Sequence, residues 1–380
     1  MKREKLKVFF SRAMDGINPD EIIASEHVVM GILDRYGMEI INPYIYPDNR
    51  INNISGVVQI VDNDIEVLKS SDVVVVDASI PDHSYVGAMM EIAYSYQLNK
   101  PVYVYVGESG NEKRIWLKYH ANAITKSLDE LIEILFLEFT KGGQRVSQKW
   151  TLDYYSDVAP YYEEKEQNKA LSSNSNEIIS TYLSEFSALE NWLKKVPLHG
   201  VVVDLGSGTS EWLKYWADKV DRTICVDASA EMLAVSRKKN LFSNVVHIEG
   251  NFLNDRWVKS FFCNLGKVDF VFLGFVLNAL PHQKSQELIT KLKELTTNGT
   301  KLIILENQSS ILASTGYFSK TEIQKRMVPN SQKIYKLYKR NFLLSDIYKE
   351  LRFFGQVECV SVTDNYLISG ISTNLKQTAS

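Results

Sequence analysis

The chain has 380 residues, of which 45% are hydrophobic and 23% are charged, so it can bury substantial cores and lies outside the disordered and collagen-like classes. This length exceeds one ordinary domain of about 100–200 residues and predicts two domains. Lys and Arg total 43 against 46 Asp and Glu, which gives a net charge of −3 and no overall positive field for a polyanion. Nucleic acid is therefore not expected as a partner.

The three cysteines, Cys225, Cys263 and Cys359, are far apart and show no CxxC spacing. Neither a disulfide framework nor a zinc site is predicted, no metal is expected, and a reducing cytoplasm is the expected compartment. No run reaches the roughly 18 apolar residues of a spanning helix, and the first apolar run is too short for a signal peptide. Neither export nor a membrane partner is expected.

In the first part of the chain, short β-rich runs alternate with longer segments of helical spacing, which predicts a parallel, flavodoxin-like α/β sheet. Val73–Val76 is apolar on consecutive residues, as in a central strand covered on both faces, so its end is a natural ligand position. The predicted strands are Lys7–Phe10, Met38–Ile41, Val73–Asp77 and Val102–Val106, and the predicted helices are Pro19–Tyr36, Asp64–Ser70 and Val86–Leu98.

A polar break containing glycine, Thr140-Lys-Gly-Gly-Gln-Arg, follows the amphipathic stretch Leu128–Phe139 and predicts domains of 1–140 and 141–380. A second α/β alternation then begins, with a predicted antiparallel hairpin around Thr363-Asp-Asn at its end. Its predicted elements are the loop Ser172-Ser-Asn-Ser-Asn, the helix Glu177–Lys195, the strands Val201–Asp204, Thr223–Asp227, Val245–Glu249, Val268–Leu273 and Lys301–Glu306, and the hairpin strands Gln356–Val362 and Tyr366–Ile371.

Val201-Val-Val-Asp-Leu-Gly-Ser-Gly-Thr leads a strand into a glycine turn and then a helix. Gly206 and Gly208 lack β-carbons, which lets a ligand approach the backbone. Asp227 ends the next strand, where its carboxylate can accept hydrogen bonds from both ribose hydroxyls. The third glycine position of a dinucleotide fingerprint is Glu211, so NAD is the weaker choice; an ordinary strand–helix turn is the alternative to a nucleotide site.

These residues resemble the class I methyltransferases that use S-adenosylmethionine, over about residues 150–380. The resemblance implies a Rossmann-like sheet, S-adenosylmethionine as the cofactor, and Val268–Asn278 as the strand region that faces the methyl group. It also implies that Tyr154–Tyr162 folds over the cofactor, although an aromatic core stripe explains this cluster equally well. The implied cofactor-binding residues are Tyr155, Asp204, Gly206, Ser207, Gly208, Asp227, Asn251 and Phe252.

The segment Ile311–Arg340 has a local surplus of basic residues. It is compatible with an anionic methyl acceptor, but a solvated helical face is the preferred interpretation. His282, at a predicted helix start, is compatible with taking a proton from an acceptor, but such residues are more often solvated. The basic residues are Lys320, Lys325, Arg326, Lys333, Lys336, Lys339 and Arg340.

In the first domain, Glu91 follows the strand Val73–Asp77 and lies on the first turns of a predicted helix. The exposed amides of a helix start are expected to hold such a carboxylate ionised. An ionised carboxylate can attack an anomeric carbon while a second acid, for which Asp64 is the candidate, protonates the leaving base. The alternative is that both acids are solvated helix residues.

Three segments resemble the nucleoside 2-deoxyribosyltransferase family and its nucleotide N-hydrolase branch, over about residues 5–139. They are Phe9-Phe-Ser-Arg-Ala-Met-Asp-Gly, Asp64 placed eight residues before Asp72, and Gly87-Ala-Met-Met-Glu91. The resemblance implies Glu91 as the nucleophile and Asp64 as the proton relay. Substrate contacts are expected from Ser11, Arg12, Asp15, Asp77, Ser84, Tyr85 and Gly87.

One position departs from that family. Its nucleotide hydrolases place a phosphate-binding Ser six residues before the Glu, where this chain has Tyr85, with Ser84 beside it. Ser84, Tyr85 and the helix-start amides are still able to hold an anion together. Because family members share sites between subunits, the resemblance also implies a homo-oligomer.

The pairing of the two domains suggests a bifunctional enzyme. It would cleave the N-glycosidic bond of a pyrimidine nucleotide or nucleoside, such as hydroxymethyl-CMP, and methylate the released base to give an antimetabolite similar to bacimethrin. Cleavage after methylation is the other order. The alternatives are a nucleotide-consuming defence module, a nucleotide sensor without catalysis, and a methyltransferase that acts on another acceptor.

Overall fold

The computed structural model describes residues 5–43, 54–162, 187–239, 242–307, 319–329, 331–363 and 367–375. The chain divides into two units, one of Met1–Gln144 with Ile311–Glu322 and the other of Arg145–Ser310 with Ile323–Ser380. The predicted loop at 172–176 and the first ten residues of the predicted helix at 177–195 lie outside the described residues, while 187–195 is helical. Among the described helices, none is long and apolar enough to cross a membrane.

The first unit contains a five-stranded sheet in which every pairing is parallel, as the sequence predicts. The strand order is β2-β1-β3-β4-β5. The crevice between β1 and β3, where the order reverses, is the usual ligand position in such sheets. The strands are β1 (Leu6–Ser11), β2 (Met38–Ile40), β3 (Val73–Asp77), β4 (Val102–Tyr105) and β5 (Ala123–Thr125), and the helices are α1 (Pro19–Arg35), α2 (Ile54–Ser70), α3 (Val86–Gln97), α4 (Ile115–His120) and α5 (Leu128–Phe139).

Local sequence explains where several of these elements begin. The Asn18 side chain accepts a hydrogen bond from the Asp20 amide at the start of α1, and Pro19 occupies the first helical position. Ser127 caps α5 in the same way through the Glu130 amide. The four valines of β3 are each at most 1% exposed, which agrees with a central strand covered on both faces.

The predicted break after Phe139 is a turn between two helices. α5 ends at Phe139, and α6 (Lys141–Val158) begins after a single residue, Thr140. The Thr140 hydroxyl donates to Phe136 O and accepts from Gly143 N, both at 2.9 Å. A β-carbon on Gly143 would lie 2.0 Å from Phe136 O, so the glycine allows α6 to start against the end of α5. The glycines therefore mark a close approach of two helices.

The second unit contains a seven-stranded mixed sheet of order β13-β14-β10-β9-β6-β7-β8. β14 runs antiparallel to β13 and β10, as the predicted hairpin requires, and the other pairings are parallel. Two apolar clusters pack against this sheet, one including Val203, Leu273 and Ile304, the other including Trp212 and Trp216. The strands are β6 (Val201–Leu205), β7 (Arg222–Asp227), β8 (Val245–Glu249), β9 (Phe270–Gly274), β10 (Lys301–Asn307), β11 (Thr321–Met327), β12 (Ile334–Arg340), β13 (Gln356–Val362) and β14 (Leu367–Thr373).

The helices of the second unit include α7 (Ala230–Lys239), α8 (Asp255–Leu265), α9 (His282–Leu295) and α10 (Leu344–Phe354). The preferred interpretation of the basic segment as a helical face is wrong for its described part, because β11 and β12 pair there in a two-stranded sheet. Tyr335 and Leu337 of β12 are buried in an apolar cluster with Tyr154. Lys339 and Arg340, at the end of β12, are only 6% and 7% exposed.

Candidate active sites

In the second unit, a glycine loop follows β6. Gly206 and Gly208 have φ angles of +73° and +54°, which favour glycine. A β-carbon on Gly206 would lie 2.7 Å from Val276 Cγ2, whereas nothing lies within 4 Å of one placed on Gly208. The amides of Gly206 and Ser207 donate to Val226 O at 2.7 and 3.0 Å, which ties the loop to β7. The loop thus leaves open space beside Gly208.

Two acids adjoin this loop. Asp227 accepts hydrogen bonds from Gly208 N and Ser229 N, both at 2.8 Å. Asp204 is 1% exposed, and its Oδ2 has no hydrogen-bond partner among the described residues. Burial and then the nearby Asp227 raise the pKa of Asp204 to about 8, and burial also raises the pKa of Asp227. Both acids therefore favour a ligand that supplies hydrogen-bond donors or positive charge.

The remaining predicted cofactor residues differ in exposure. Ser207 is buried, and its hydroxyl has no partner among the described residues. The half-buried Phe252 ring lies 3.7 Å from the position of a β-carbon on Gly206, so it adjoins the loop. Asn251 is exposed, and its side-chain oxygen accepts from Leu253 N at 3.0 Å. The predicted adenine neighbours thus follow β8, with Phe252 nearest the glycines.

The predicted aromatic cluster Tyr154–Tyr162 begins on α6, and two of its tyrosines have different surroundings. Tyr154 is 1% exposed and packs in the core, with its ring 5.7 Å from that of Tyr335. Tyr155 is half-buried, and its hydroxyl lies 3.4 Å from Lys339 Nζ. The core interpretation therefore holds for Tyr154, whereas Tyr155 faces a charged group.

Sequence analysis did not single out a buried polar cluster at the ends of β9 and β10. Glu306 is 0% exposed, and its Oε1 accepts from Leu277 N at 2.6 Å and Asn278 N at 3.2 Å. Lys339 donates to Asn278 Oδ1 at 3.0 Å. Burial raises the pKa of Glu306 to about 8 against the opposing effect of Lys339. The signal in the sequence is Glu306 itself, an acid that directly follows the apolar run Leu302–Leu305 and so falls at a strand end.

His282 is the first residue of α9, as the sequence predicts. Its Nδ1 lies 3.0 Å from Arg340 Nη2, and the same guanidinium donates to Leu280 O. Burial and then the Arg340 charge lower the pKa of His282 to about 3. The imidazole is therefore neutral at physiological pH and adjoins a fixed cation.

In the first unit, β1, α2 and α3 bring together Ser11, Arg12, Asp64 and Glu91. The pKa of Glu91 is raised to about 7, chiefly by burial; the nearby Asp64 acts in the same direction, and Ser11 and Arg12 oppose the rise. Burial also raises the pKa of Asp64, with Arg12 opposing. The expectation that the helix start holds Glu91 ionised is wrong, because Glu91 lies beyond the first turn of α3 and burial raises its pKa. Asp64 is thus near enough to Glu91 to affect its pKa.

Arg12 is fixed in place beside this pair. Its guanidinium lies 2.7 Å from Glu26 Oε2 in a buried ion pair and donates to Phe10 O at 2.9 Å. Ser11 is 1% exposed, and its hydroxyl makes no hydrogen bond of regular geometry with a described residue, although it is near enough to affect Glu91. The Ser11 hydroxyl thus adjoins the Glu91 carboxyl group.

Tyr85 cannot replace the family's phosphate-binding serine directly. It is 2% exposed with φ +55°, and its hydroxyl accepts from Ile80 N at 2.9 Å. Ser84 and Gly87 are exposed at the start of α3. Arg114, which sequence analysis missed, donates to His83 O at 2.6 Å and Ser84 O at 3.2 Å. The helix start therefore has a cation beside it.

The other two predicted substrate contacts lie at strand ends. Asp77 ends β3, and its carboxylate accepts from Ser79 N at 2.9 Å. Asp15 is exposed in the turn that follows β1. In the described residues, no group of three or more His, Cys, Asp or Glu side chains is arranged to hold a metal ion.

Comparison with known proteins relates part of the second unit to methyltransferases. Residues 202–299 match a family model described as "Methyltransferase domain", which confirms the predicted methyltransferase domain for this region. Similar solved structures include the DhpI–SAH complex (17% identity, 60% of this chain, 97% of that chain, TM-score 0.44) and the DhpI–SAM–HEP complex (16%, 59%, 96%, 0.45). An S-adenosylmethionine-dependent methyltransferase from Clostridium acetobutylicum has 14% identity, covers 51% of this chain and 90% of that chain, and has a TM-score of 0.35. The comparison with curated proteins gave no match.

Proposed function

We propose that the second unit is an S-adenosylmethionine-dependent methyltransferase whose cofactor binds at the carboxyl ends of β6 and β7. The observation that carries this is the glycine loop hydrogen-bonded to Asp227, within the segment 202–299 that matches the methyltransferase family. The residues fit the cofactor: Asp204 Oδ2 and Ser207 Oγ are buried without partners among the described residues, and the space beside Gly208 is open.

Asp227 is the proposed ribose-binding residue. Its two oxygens accept backbone amides from the loop and from the residues after β7, and a carboxylate has further lone pairs for a ribose hydroxyl. Asn251 and Phe252 would flank the adenine, and Tyr155 would cover the cofactor. When bound, S-adenosylmethionine supplies the activated methyl group and its leaving group. The chain then needs to hold an acceptor in line and to exclude water. Calorimetric titration with S-adenosylmethionine tests this assignment.

For the first unit we propose an N-glycosidase with Glu91 as nucleophile and Asp64 as acid. The convergence of Ser11, Arg12, Asp64 and Glu91 near the end of β1 supports this, because neighbouring carboxyl groups with raised pKa values are typical of acid–base sites. Ionised Glu91 would attack the anomeric carbon to form a glycosyl ester, while Asp64 protonates the departing base; water then hydrolyses the ester.

The proposed substrate is a pyrimidine nucleotide or nucleoside. Ser11, Arg12, Asp15 and Asp77 would contact the sugar and base. Ser84, Tyr85 and Gly87 would line the 5′ end of the sugar, where Arg114 supplies a positive charge for a phosphate. A homo-oligomer belongs to the same proposal, and analytical ultracentrifugation tests it.

The combined activity would release a base and methylate it, for example turning hydroxymethyl-CMP into a bacimethrin-like antimetabolite. The test is to incubate the protein with CMP, hydroxymethyl-CMP and common nucleosides, with and without labelled S-adenosylmethionine. Chromatography then follows free base and labelled product. Free base that carries the label supports the combined activity. No base release from any of these substrates would favour a nucleotide sensor, and release without labelling would favour a nucleotide-consuming module.

The raised pKa of Glu91 also predicts a pH-dependent cost in stability. Its pKa rises from 4.5 to about 7, so the folded state binds an extra proton between these values, and the cost grows from pH 4.5 to 7 and stays constant above that. Glu91→Gln is expected to raise the thermal midpoint at pH 8 more than at pH 5. Thermal unfolding at both pH values measures this, with Glu66→Gln, an exposed change on α2, as the control. Equal effects at the two pH values would contradict the assigned burial.

A further inference from the structure

A chain of hydrogen bonds connects the glycine loop of the second unit with α7 and β8. Ser236 of α7 is 1% exposed, and its hydroxyl donates to Ser210 Oγ at 2.6 Å. The same Ser236 oxygen lies 2.7 Å from Nε2 of His247, a half-buried residue of β8. A serine hydroxyl has one hydrogen, so when Ser236 donates to Ser210, His247 Nε2 is the atom that donates to Ser236. The imidazole thus orients the Ser236 hydroxyl toward the loop.

Ser210 has a left-handed backbone conformation, with a φ angle of +58°. Gly206 and Gly208 adopt a positive φ readily, whereas a β-carbon disfavours it at Ser210. The Ser210 amide donates to Ser207 O at 2.7 Å and so closes the turn that contains Gly208. The backbone at Ser210 therefore determines where Ser207 and Gly208 lie. The hydrogen bond from Ser236 stabilises a conformation that the β-carbon opposes.

We propose that Ser236 is a positioning residue that holds the cofactor loop in its binding conformation by fixing Ser210, and that His247 supports it. This inference rests on the proposed methyltransferase function, because the loop is the proposed binding site of S-adenosylmethionine. Ser236 and His247 act through Ser210 and are not among the proposed cofactor contacts. Without the hydrogen bond, part of the free protein leaves the binding conformation at Ser210. The apparent affinity for the cofactor then falls in proportion to the fraction that remains.

The test is calorimetric titration with S-adenosylmethionine, together with the thermal midpoint of each protein. Ser236→Ala removes the hydroxyl, His247→Leu removes the group that orients it, and Ser210→Gly gives the loop a residue that adopts a positive φ unaided. Ser236→Ala is also made in the Ser210→Gly background, which measures the coupling between the two positions. The control is Ser285→Ala, which removes another buried helix serine of the second unit, one that donates to Glu350 at 3.0 Å.

We expect Ser236→Ala to weaken S-adenosylmethionine binding by about fivefold, which corresponds to the loss of one hydrogen bond, and His247→Leu to weaken it as well. Ser210→Gly should bind with nearly wild-type affinity, and in that background Ser236→Ala should have less than about a twofold effect. Ser285→Ala should bind like the wild type. The inference is overturned if Ser236→Ala or His247→Leu binds like the wild type, if Ser236→Ala loses as much affinity in the Ser210→Gly background as alone, or if Ser285→Ala weakens binding equally. Failure of the wild type to bind S-adenosylmethionine would instead refute the proposed methyltransferase function.

Discussion

Glu91→Gln is expected to abolish base release, with a loss of about a thousandfold or more, because it removes the nucleophile while keeping the shape of the side chain. A carboxamide cannot form the glycosyl ester, and Asp64, which acts only as the acid, cannot replace the missing nucleophile. The pKa of Glu91, about 7, adds a pH signature. The wild-type rate of base release should rise as pH increases through 7, because the nucleophile must be ionised. Chromatography of the released base across pH 5–9 measures both effects.

The control for this prediction is Glu66→Gln, which removes an exposed carboxylate from α2 in the same unit and should leave base release unchanged. Titration with S-adenosylmethionine should give wild-type affinity for both variants, since the proposed cofactor residues belong to the other unit. If Glu91→Gln retained more than about a tenth of the wild-type rate, the covalent role would have to be abandoned.

Among the strands of the two main sheets, all but the three-residue β5 were predicted, because each of them is a local signal. Val73–Val76 and Val201–Val203 are consecutive apolar residues followed by an acid. A continuous apolar run of this kind is the pattern expected of a strand that is buried on both faces. The same pattern placed Asp77 and Asp204 near strand ends. Strand order is not local, since the reversal between β1 and β3 depends on where each crossover packs.

The cluster around Lys339 could not be found in this way. Its hydrogen-bond partners Asn278 and Tyr155 lie 61 and 184 residues away along the chain. Locally, β12 mixes Lys and Arg with aromatic residues, which resembles a solvated surface as much as a strand. In the fold, Tyr335 and Leu337 pack in one apolar cluster with Tyr154, and β12 contacts the 3₁₀ helix Leu277–Ala279, which places the lysine near the edge of the main sheet.

The error at Glu91 has a similar origin, because a local effect was weighed without the tertiary one. Helix-start amides favour a carboxylate by about 0.3–1 kcal/mol, which is less than the roughly 1.4 kcal/mol that corresponds to one pKa unit. Burial together with Asp64 instead moves the pKa from 4.5 to about 7. The structure places Ser11, Arg12 and Asp64 near Glu91, while the protonation state depends on desolvation that no motif reports.

Asp227→Ala is expected to weaken S-adenosylmethionine binding by at least tenfold, because it removes the acceptors for the ribose hydroxyls, at about 1.5–3 kcal/mol for each hydrogen bond to a charged group. The variant also deprives Gly208 N and Ser229 N of their acceptor, so Asp227→Asn is the second variant, which keeps one oxygen and the shape. The control is Asp221→Ala, which removes an exposed acid directly before β7, at the other end of that strand. Base release by the first unit should be unaffected in all three. Normal cofactor affinity of Asp227→Ala in calorimetry would remove Asp227 from the site, and the turn at Gly206 and Gly208 would then need another ligand.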